Sequence, residues 1–236
     1  MAYETLKDPV ALQAEQAALQ SSFFNRVFGW MFAGLGLSGA VAWTLAKYYP
    51  KFICDPRVVL ISCILTLVVV LGLSFGIKKM SAGAATVAFI VYAGLDGVML
   101  SSIFLAYELG SVVQVFCITA AMFGAMGLWG YITKSDLSGL GSICFMGLIG
   151  IIIASLINLF LGSNGLDFVI SIFGVLIFTG LTAYDVQKIK RLAEAAGEGL
   201  LTDEIVKKCA ILGALTLYLD FVNLFLYLLR LFGRRK

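Results

Sequence analysis

Two aspartates stand where a charged side chain is expensive. Asp220 lies in the middle of the apolar stretch 210–229, which is long enough to cross a bilayer as a helix. A carboxylate at that depth costs roughly 2.5–3.5 kcal/mol on insertion scales, so it needs a partner, water or a proton. Asp185 closes the preceding apolar stretch. If the two acids face each other, they cannot both stay charged cheaply, and we expect them to share one proton and titrate as a unit.

Polar neighbours of the two acids are candidates to complete such a site. Asn223 follows Asp220 by about one helical turn, and Tyr184 directly precedes Asp185. We expect their amide and hydroxyl groups to hydrogen-bond the remaining carboxyl oxygens. For Asp185 the alternative is an ordinary solvated pair with Lys188 at the membrane interface.

A third acid, Asp96, occupies a mid-span position in Gly94-Leu-Asp-Gly-Val98. It either extends a polar path through the membrane or pairs with a lysine such as Lys79. A purely structural role, as a paired polar residue, is the alternative.

The residue types present exclude several kinds of chemistry. The chain has no histidine, which removes the common zinc ligand, Ser-His catalysis and the usual physiological pH switch. Its five cysteines form no paired spacing. Carboxylate and amide oxygens suit hard cations such as Ca²⁺, but the acids are too few for a tightly bound metal. We therefore predict no enzyme activity, no cofactor and only transient contact with a cation.

The amino-acid composition predicts that the chain lies in a lipid bilayer. Hydrophobic residues make up 61% of the 236 positions and charged residues only 13%, and the mean hydropathy is +0.99. The net charge of +3 is too small to suggest nucleic acid. The lipid bilayer is the expected partner. Seven apolar segments have the length of a transmembrane helix: Phe28–Ala46, Val58–Ile77, Ala84–Tyr107, Val112–Ile132, Leu140–Leu161, Phe168–Gln187 and Cys209–Leu229.

These segments predict an all-α membrane protein with three parts. Residues 1–27 form a polar, cytoplasmic segment, 28–232 the seven-helix domain and 233–236 a short basic tail. The sixth helix is expected to continue to about Gly197, and Thr202 is a plausible N-cap for the seventh. The distribution of basic residues favours a cytoplasmic tail, whereas the length of the last segment favours a full crossing. We favour the full crossing.

Two longer motifs carry a resemblance to a known family. They are Gly180-Leu-Thr-Ala-Tyr-Asp-Val-Gln-Lys188 and Gly213-Ala-Leu-Thr-Leu-Tyr-Leu-Asp-Phe-Val-Asn-Leu-Phe225, supported by 122–126 and 133–137. Through them the chain resembles the Bax inhibitor-1 family, in particular its bacterial inner-membrane branch, over nearly its whole length. The resemblance implies six helices arranged around a central seventh.

The resemblance also implies a function. Asp185 and Asp220 match the family's paired aspartates, which are implicated in a pH-sensitive calcium leak. Some members carry an arginine near the end of the second helix that contacts the pair. This chain has Lys78 and Lys79 there, and a lysine lacks the planar two-point grip of a guanidinium group.

Two hypotheses of different kinds follow. The first is a pH-sensitive leak for cations, in particular calcium. The second is a non-conducting interaction protein that modulates other membrane proteins, as bacterial relatives are associated with a membrane-bound ATP-dependent protease or a stress response. An intramembrane two-aspartate protease is a distant third, because it would need both acids at one depth around a water molecule.

Overall fold

A computed structural model describes residues 9–77 and 79–236. In this part of the chain 89% of the residues are helical, there is no strand, and eight helices make up the fold. They are α1 Pro9–Tyr48, α2 Pro50–Ile53, α3 Pro56–Gly76, α4 Ala82–Ala106, α5 Leu109–Ile132, α6 Ser138–Leu161, α7 Asn164–Gly197 and α8 Asp203–Phe232. All but the four-residue α2 are long and apolar enough to cross a membrane, which confirms the predicted seven spans.

Local sequence explains where several helices begin and end. Pro50 and Pro56 occupy the first positions of α2 and α3, where the missing N–H has no helical partner to lose. The side chain of Ser81 caps α4 by accepting a hydrogen bond from the Ala84 N–H at 3.2 Å. Gly162 ends α6 with a φ of +61°, a conformation that glycine adopts without steric cost.

Two helices extend well beyond the membrane. The first is α1, a continuous helix of 40 residues, so residues 9–27 form the turns that precede its membrane span. The second is α7, which continues to Gly197 as predicted, and α8 then begins after Thr202. A Cβ atom at Gly197 would lie 3.0 Å from the Gln16 carbonyl oxygen, so the two extensions pack closely.

The last helix lies at the centre of the bundle, and four of the other six spans, not all six, surround it directly. It makes its main contacts with α1, α4, α5 and α7. Outside this ring, α3 packs on α4 and α6 packs on α7. The outer surface is strongly apolar, with Phe75 82% and Phe160 88% exposed, which suits hydrocarbon as the surrounding solvent.

Glycines bring α7 close to its two neighbours. A methyl group at Gly130 of α5 would collide with the backbone carbonyl of Ala183, and one at Gly141 of α6 would lie 2.7 Å from the Tyr184 ring. Close backbone approach through small residues is a typical way for membrane helices to associate. The segment of α7 that carries Asp185 is therefore fixed from two sides.

The basic tail shows that α8 crosses completely. The Arg234 N–H donates to Ser111 Oγ at 2.9 Å, and the Glu108 N–H donates to the Arg234 carbonyl at 3.0 Å. The tail thus lies at the turn between α4 and α5, at the opposite end of the bundle from the turn between α7 and α8. We call these the tail end and the N-terminal end. The predicted full crossing is confirmed, and a re-entrant last segment is not present.

Candidate functional site

The structure brings the two predicted acids together. Asp185 on α7 and Asp220 on α8 are 8% and 4% exposed, and their carboxyl groups hydrogen-bond to each other. Such a bond between two carboxyl groups requires one of them to carry a proton. Asp220 Oδ2 is buried and accepts no hydrogen bond from a protein donor. The pair is therefore a buried acidic site inside the bundle, with one carboxyl oxygen that has no protein donor.

Two other side chains lie close to the pair. Cys144 on α6 interacts electrostatically with Asp220, because the absence of a side chain at Gly180 lets its sulfur approach α7. The exposed Lys188, nearly one turn beyond Asp185, interacts electrostatically with that acid. Asp185 is thus buried beside the second acid and does not form the solvated pair with Lys188 that was the alternative.

The predicted supporting residues do not complete the site. The Asn223 amide donates to the Leu219 carbonyl of its own helix at 2.8 Å. Tyr184 turns its ring toward Gly141 of α6, because adjacent residues on a helix point about 100° apart. Neither the amide donor of Asn223 nor the ring of Tyr184 is directed at the pair, which corrects the expectation from sequence.

Lys79 also lies away from the pair. Lys79 is exposed in the turn after α3, and α3 makes its main contacts with α2 and α4. Lys78 lies outside the described residues.

Asp96 belongs to a second buried polar cluster, on the other side of α8. The Tyr218 hydroxyl donates to Asp96 Oδ2 at 2.6 Å and lies 2.6 Å from Ser38 Oγ. Ser38 also lies 2.7 Å from the Ala93 carbonyl, so this cluster joins α1, α4 and α8. Asp96 therefore pairs with a tyrosine and not with Lys79. Sequence reasoning missed Tyr218 and Ser38, although a tyrosine two residues from a mid-span acid was a signal available to it.

A third set of polar contacts lies beside Asp185 and joins α7 to the turn between α5 and α6. Gln187, two residues further along α7, accepts from the Leu137 N–H at 2.9 Å and donates to the Ser135 carbonyl at 2.8 Å. Arg191 binds Asp136 at 2.6 Å. The turn 133–137 between α5 and α6 is thereby fastened to α7. Below we call these contacts the α7 clamp.

The charge state of Asp136 in this clamp is well defined. Hydrogen bonds from Ser138 and from Arg191 lower the pKa of Asp136 to about 2. Its carboxylate therefore stays ionised throughout the physiological pH range, and the clamp is insensitive to pH in that range.

The carboxyl groups provide few ligands for a metal. Among residues 9–77 and 79–236, no three Cys, Asp or Glu side chains are grouped so that they could hold an ion. A preformed calcium site uses six to eight oxygens. The Asp185/Asp220 pair can therefore offer a passing cation two carboxyl groups and little else.

Comparison with known proteins agrees with this architecture. The family described as "Inhibitor of apoptosis-promoting Bax1" matches residues 20–236. The inner membrane protein YbhL of Escherichia coli is 47% identical over 224 residues, covering 94% of each chain. An uncharacterized protein of Borreliella burgdorferi is 42% identical over 95% of this chain and 97% of its own length. An uncharacterized protein of Rickettsia prowazekii is also 42% identical, over 91% of this chain and 90% of its own length. The chain is therefore a multi-pass membrane protein that belongs to the Bax inhibitor-1 family.

Proposed function

We propose that this protein passes cations, in particular Ca²⁺, down their gradient under the control of a proton shared by Asp185 and Asp220. The observation that carries the proposal is the hydrogen bond between two buried carboxyl groups on neighbouring helices. The E. coli relative is named an inner membrane protein, and we place this chain in the same membrane. No chemical reaction is part of the proposal.

The shared proton holds α7 and α8 together at this point. When it leaves, two like charges remain in contact, and their repulsion is about 4 kcal/mol at 4 Å with an effective dielectric constant of 20. The free Oδ2 of Asp220 has no protein donor to absorb that charge. Separation of the two carboxylates, or entry of water and a cation between them, relieves the repulsion.

The contacts of Tyr218 and of the α7 clamp limit how far α7 and α8 can separate. Tyr218 ties α8 to Asp96 of α4 and Ser38 of α1, on the side away from the pair. The α7 clamp ties α7 to the turn 133–137 on the N-terminal side. Deprotonation therefore acts on the α7–α8 contact while both helices stay anchored elsewhere, so a small opening beside Asp220 is the expected response.

Calcium flux into proteoliposomes tests the proposal. The wild type should leak Ca²⁺ with a pH-dependent rate, and Asp185→Asn and Asp220→Asn should each abolish that dependence, because a pair with one amide can never carry two repelling charges. Asp203→Asn is the matched control, since this acid lies exposed in the first turn of α8 and should leave the pH profile unchanged. Pair variants that retain the wild-type pH profile would reject the proposal.

A second function is favoured by a different observation, at the start of α1. Leu12 and Leu19 are 42% and 47% exposed on a part of the helix that precedes the membrane span. Exposed leucines outside the bilayer suit a protein partner. In this alternative the chain does not conduct and instead modulates a membrane-bound ATP-dependent protease or a stress response. Deletion of residues 1–20 separates the two functions: the leak persists in the first and partner regulation disappears in the second.

A further inference from the structure

A long seam runs between α1 and α5, bridged near the N-terminal end by the edge-to-face contact of the Phe24 and Tyr131 rings. Both helices flank the central α8, yet they are not among the helix pairs that make substantial contact with each other. Two cavities lie along this seam, one of about 540 Å³ toward the N-terminal end and one of about 500 Å³ nearer the tail end. Both volumes fall in the range of small-molecule sites, which is roughly 300–1,000 Å³.

The two cavities follow one another along the same helix faces. On α1 the lining passes from Phe28 in the first cavity to Phe32 in the second, and on α5 it passes from Gly124 to Ala120. Residues four apart lie on one face of a helix. The cavities are therefore successive parts of one seam, and the second reaches Phe221 on the central helix.

Small residues border the seam without a protein neighbour. No heavy atom lies within 4 Å of the Cβ position at Gly36, Gly39 or Gly124. Small residues on membrane helices usually mark the place where another helix approaches closely. Here they leave space beside the central helix, and that space opens toward the hydrocarbon.

The dimensions of the seam suit one acyl chain. From Tyr131 to Ala120 the α5 helix rises roughly 16 Å. One leaflet contributes about half of a hydrocarbon core that is roughly 30 Å thick. A chain entering at the depth of Tyr131 would therefore end in the second cavity, which is lined mainly by apolar side chains such as Phe116 and Val222.

The mouth of the seam carries positive charge. The Lys190 ammonium donates to the Tyr131 carbonyl at 2.9 Å and lies 5.2 Å from the centre of the Tyr131 ring. An ammonium group has three donors, so Lys190 retains donors for a phosphate. Lys134 is exposed three residues beyond Tyr131. The acid in this turn, Asp136, is already bound to Arg191.

We propose that an anionic phospholipid from the leaflet at the N-terminal end binds in this seam. Its headgroup lies beside Lys190, with Gln20 and Ser21 on the facing wall, and one acyl chain runs between α1 and α5 to the central helix. This binding site goes beyond the proposed leak and does not depend on it.

Native mass spectrometry of the purified full-length protein tests the proposal. After incubation with vesicles of phosphatidylglycerol, the wild type should retain one lipid. Gly124→Phe and Ala120→Phe should lower that retention at least tenfold, because a ring at either position fills the seam. Gly150→Phe is the matched control, because its Cβ position on the outer α6 is equally open and lies outside the seam. Equal retention by all three variants would overturn the proposal.

Headgroup selection is tested by comparing phosphatidylglycerol with phosphatidylcholine. The wild type should prefer the anionic lipid, and Lys190→Gln should reduce that preference roughly fivefold, since one lysine near a membrane surface contributes about 1 kcal/mol. No preference in the wild type, or a second copy of the chain in place of the lipid, contradicts the proposal.

A second measurement avoids the risk that a phenylalanine variant fails to fold. In a chain whose three native tryptophans are phenylalanine, Phe116→Trp reports from the seam and Phe145→Trp from the outer face of α6. Brominated phosphatidylglycerol should quench Phe116→Trp at a lower mole fraction than brominated phosphatidylcholine does. It should quench Phe145→Trp equally with either lipid. Identical behaviour at the two positions would mean that only bulk lipid fills the seam.

Discussion

Tyr218 and Asp220 lie two residues apart on α8 and make polar contacts on opposite sides of this central helix. The Tyr218 hydroxyl donates to Asp96 at 2.6 Å, whereas Asp220 bonds to Asp185 of α7. Two residues correspond to a rotation of roughly 200° on an α-helix. The central helix is thus bound by polar contacts on both faces, and one of the two contacts depends on a shared proton.

Removing the Tyr218 hydroxyl should destabilise the protein. Tyr218→Phe leaves the buried Asp96 carboxyl group without this donor, and an unsatisfied buried polar group costs about 1–3 kcal/mol. We expect a lower midpoint of thermal unfolding in detergent, with the ring contacts to Phe89 and Tyr92 preserved. Tyr227→Phe is the control, because it also removes a tyrosine hydroxyl from α8 and preserves the stacking of that ring on Phe178. Equal midpoints for Tyr218→Phe and the wild type would contradict this role.

The contact of α5 with α7 should tolerate no side chain at Gly130. Gly130→Ala places a methyl group against the Ala183 backbone, which cannot move aside as a flexible side chain can. Overpacking of this kind costs about 1–3 kcal/mol. Thermal unfolding in detergent measures it, and Gly150→Ala on α6 is the control because its Cβ position meets open space. A Gly130→Ala protein as stable as the control would show that the two helices separate easily.

The sequence predicted the spans and the acid pair for identifiable reasons. Continuous apolar stretches of fixed length reveal membrane helices, and a mid-span charge is costly enough to demand a partner. Asp185 and Asp220 could therefore be paired without coordinates. Their contact nevertheless depends on the tilt between α7 and α8, which the sequence does not reveal.

The individual side-chain contacts could not be predicted from the sequence, because they depend on how each helix is rotated about its axis. Asn223 and Tyr184 are near the acids in sequence, but one bonds to its own helix and the other faces α6. Tyr218 and Ser38 are 180 positions apart, and only the packing of α1 on α8 brings them within 2.6 Å. The continuous α1 was also hidden, since its first turns are polar and precede the membrane.

The α7 clamp should control how well the turn 133–137 is protected. Gln187→Ala removes the acceptor of the Leu137 N–H and the donor to the Ser135 carbonyl. We expect amide hydrogen exchange of Leu137 to rise at least tenfold, because loss of two hydrogen bonds that each contribute about 0.5–1.5 kcal/mol favours local opening. Lys188→Gln, at the exposed adjacent position, is the control and should leave the exchange unchanged. Unaltered exchange in Gln187→Ala would mean that Leu137 is protected by its own burial alone.

The pH response of the proposed leak should not originate in Asp136. Its pKa is lowered to about 2, below the ordinary value of about 3.9 for an aspartate. A carboxyl group whose pKa falls on folding contributes stability above its unfolded pKa and loses that contribution as the pH falls toward the folded value. The stability difference between wild type and Asp136→Asn should therefore be present at pH 7 and shrink between about pH 4 and 2. Between pH 5 and 8 the midpoint of the calcium leak should be the same in both proteins, because Asp136 does not change its charge there. If Asp136→Asn displaced this midpoint, the proton sensor would have to be assigned to the α7 clamp and not to the Asp185/Asp220 pair.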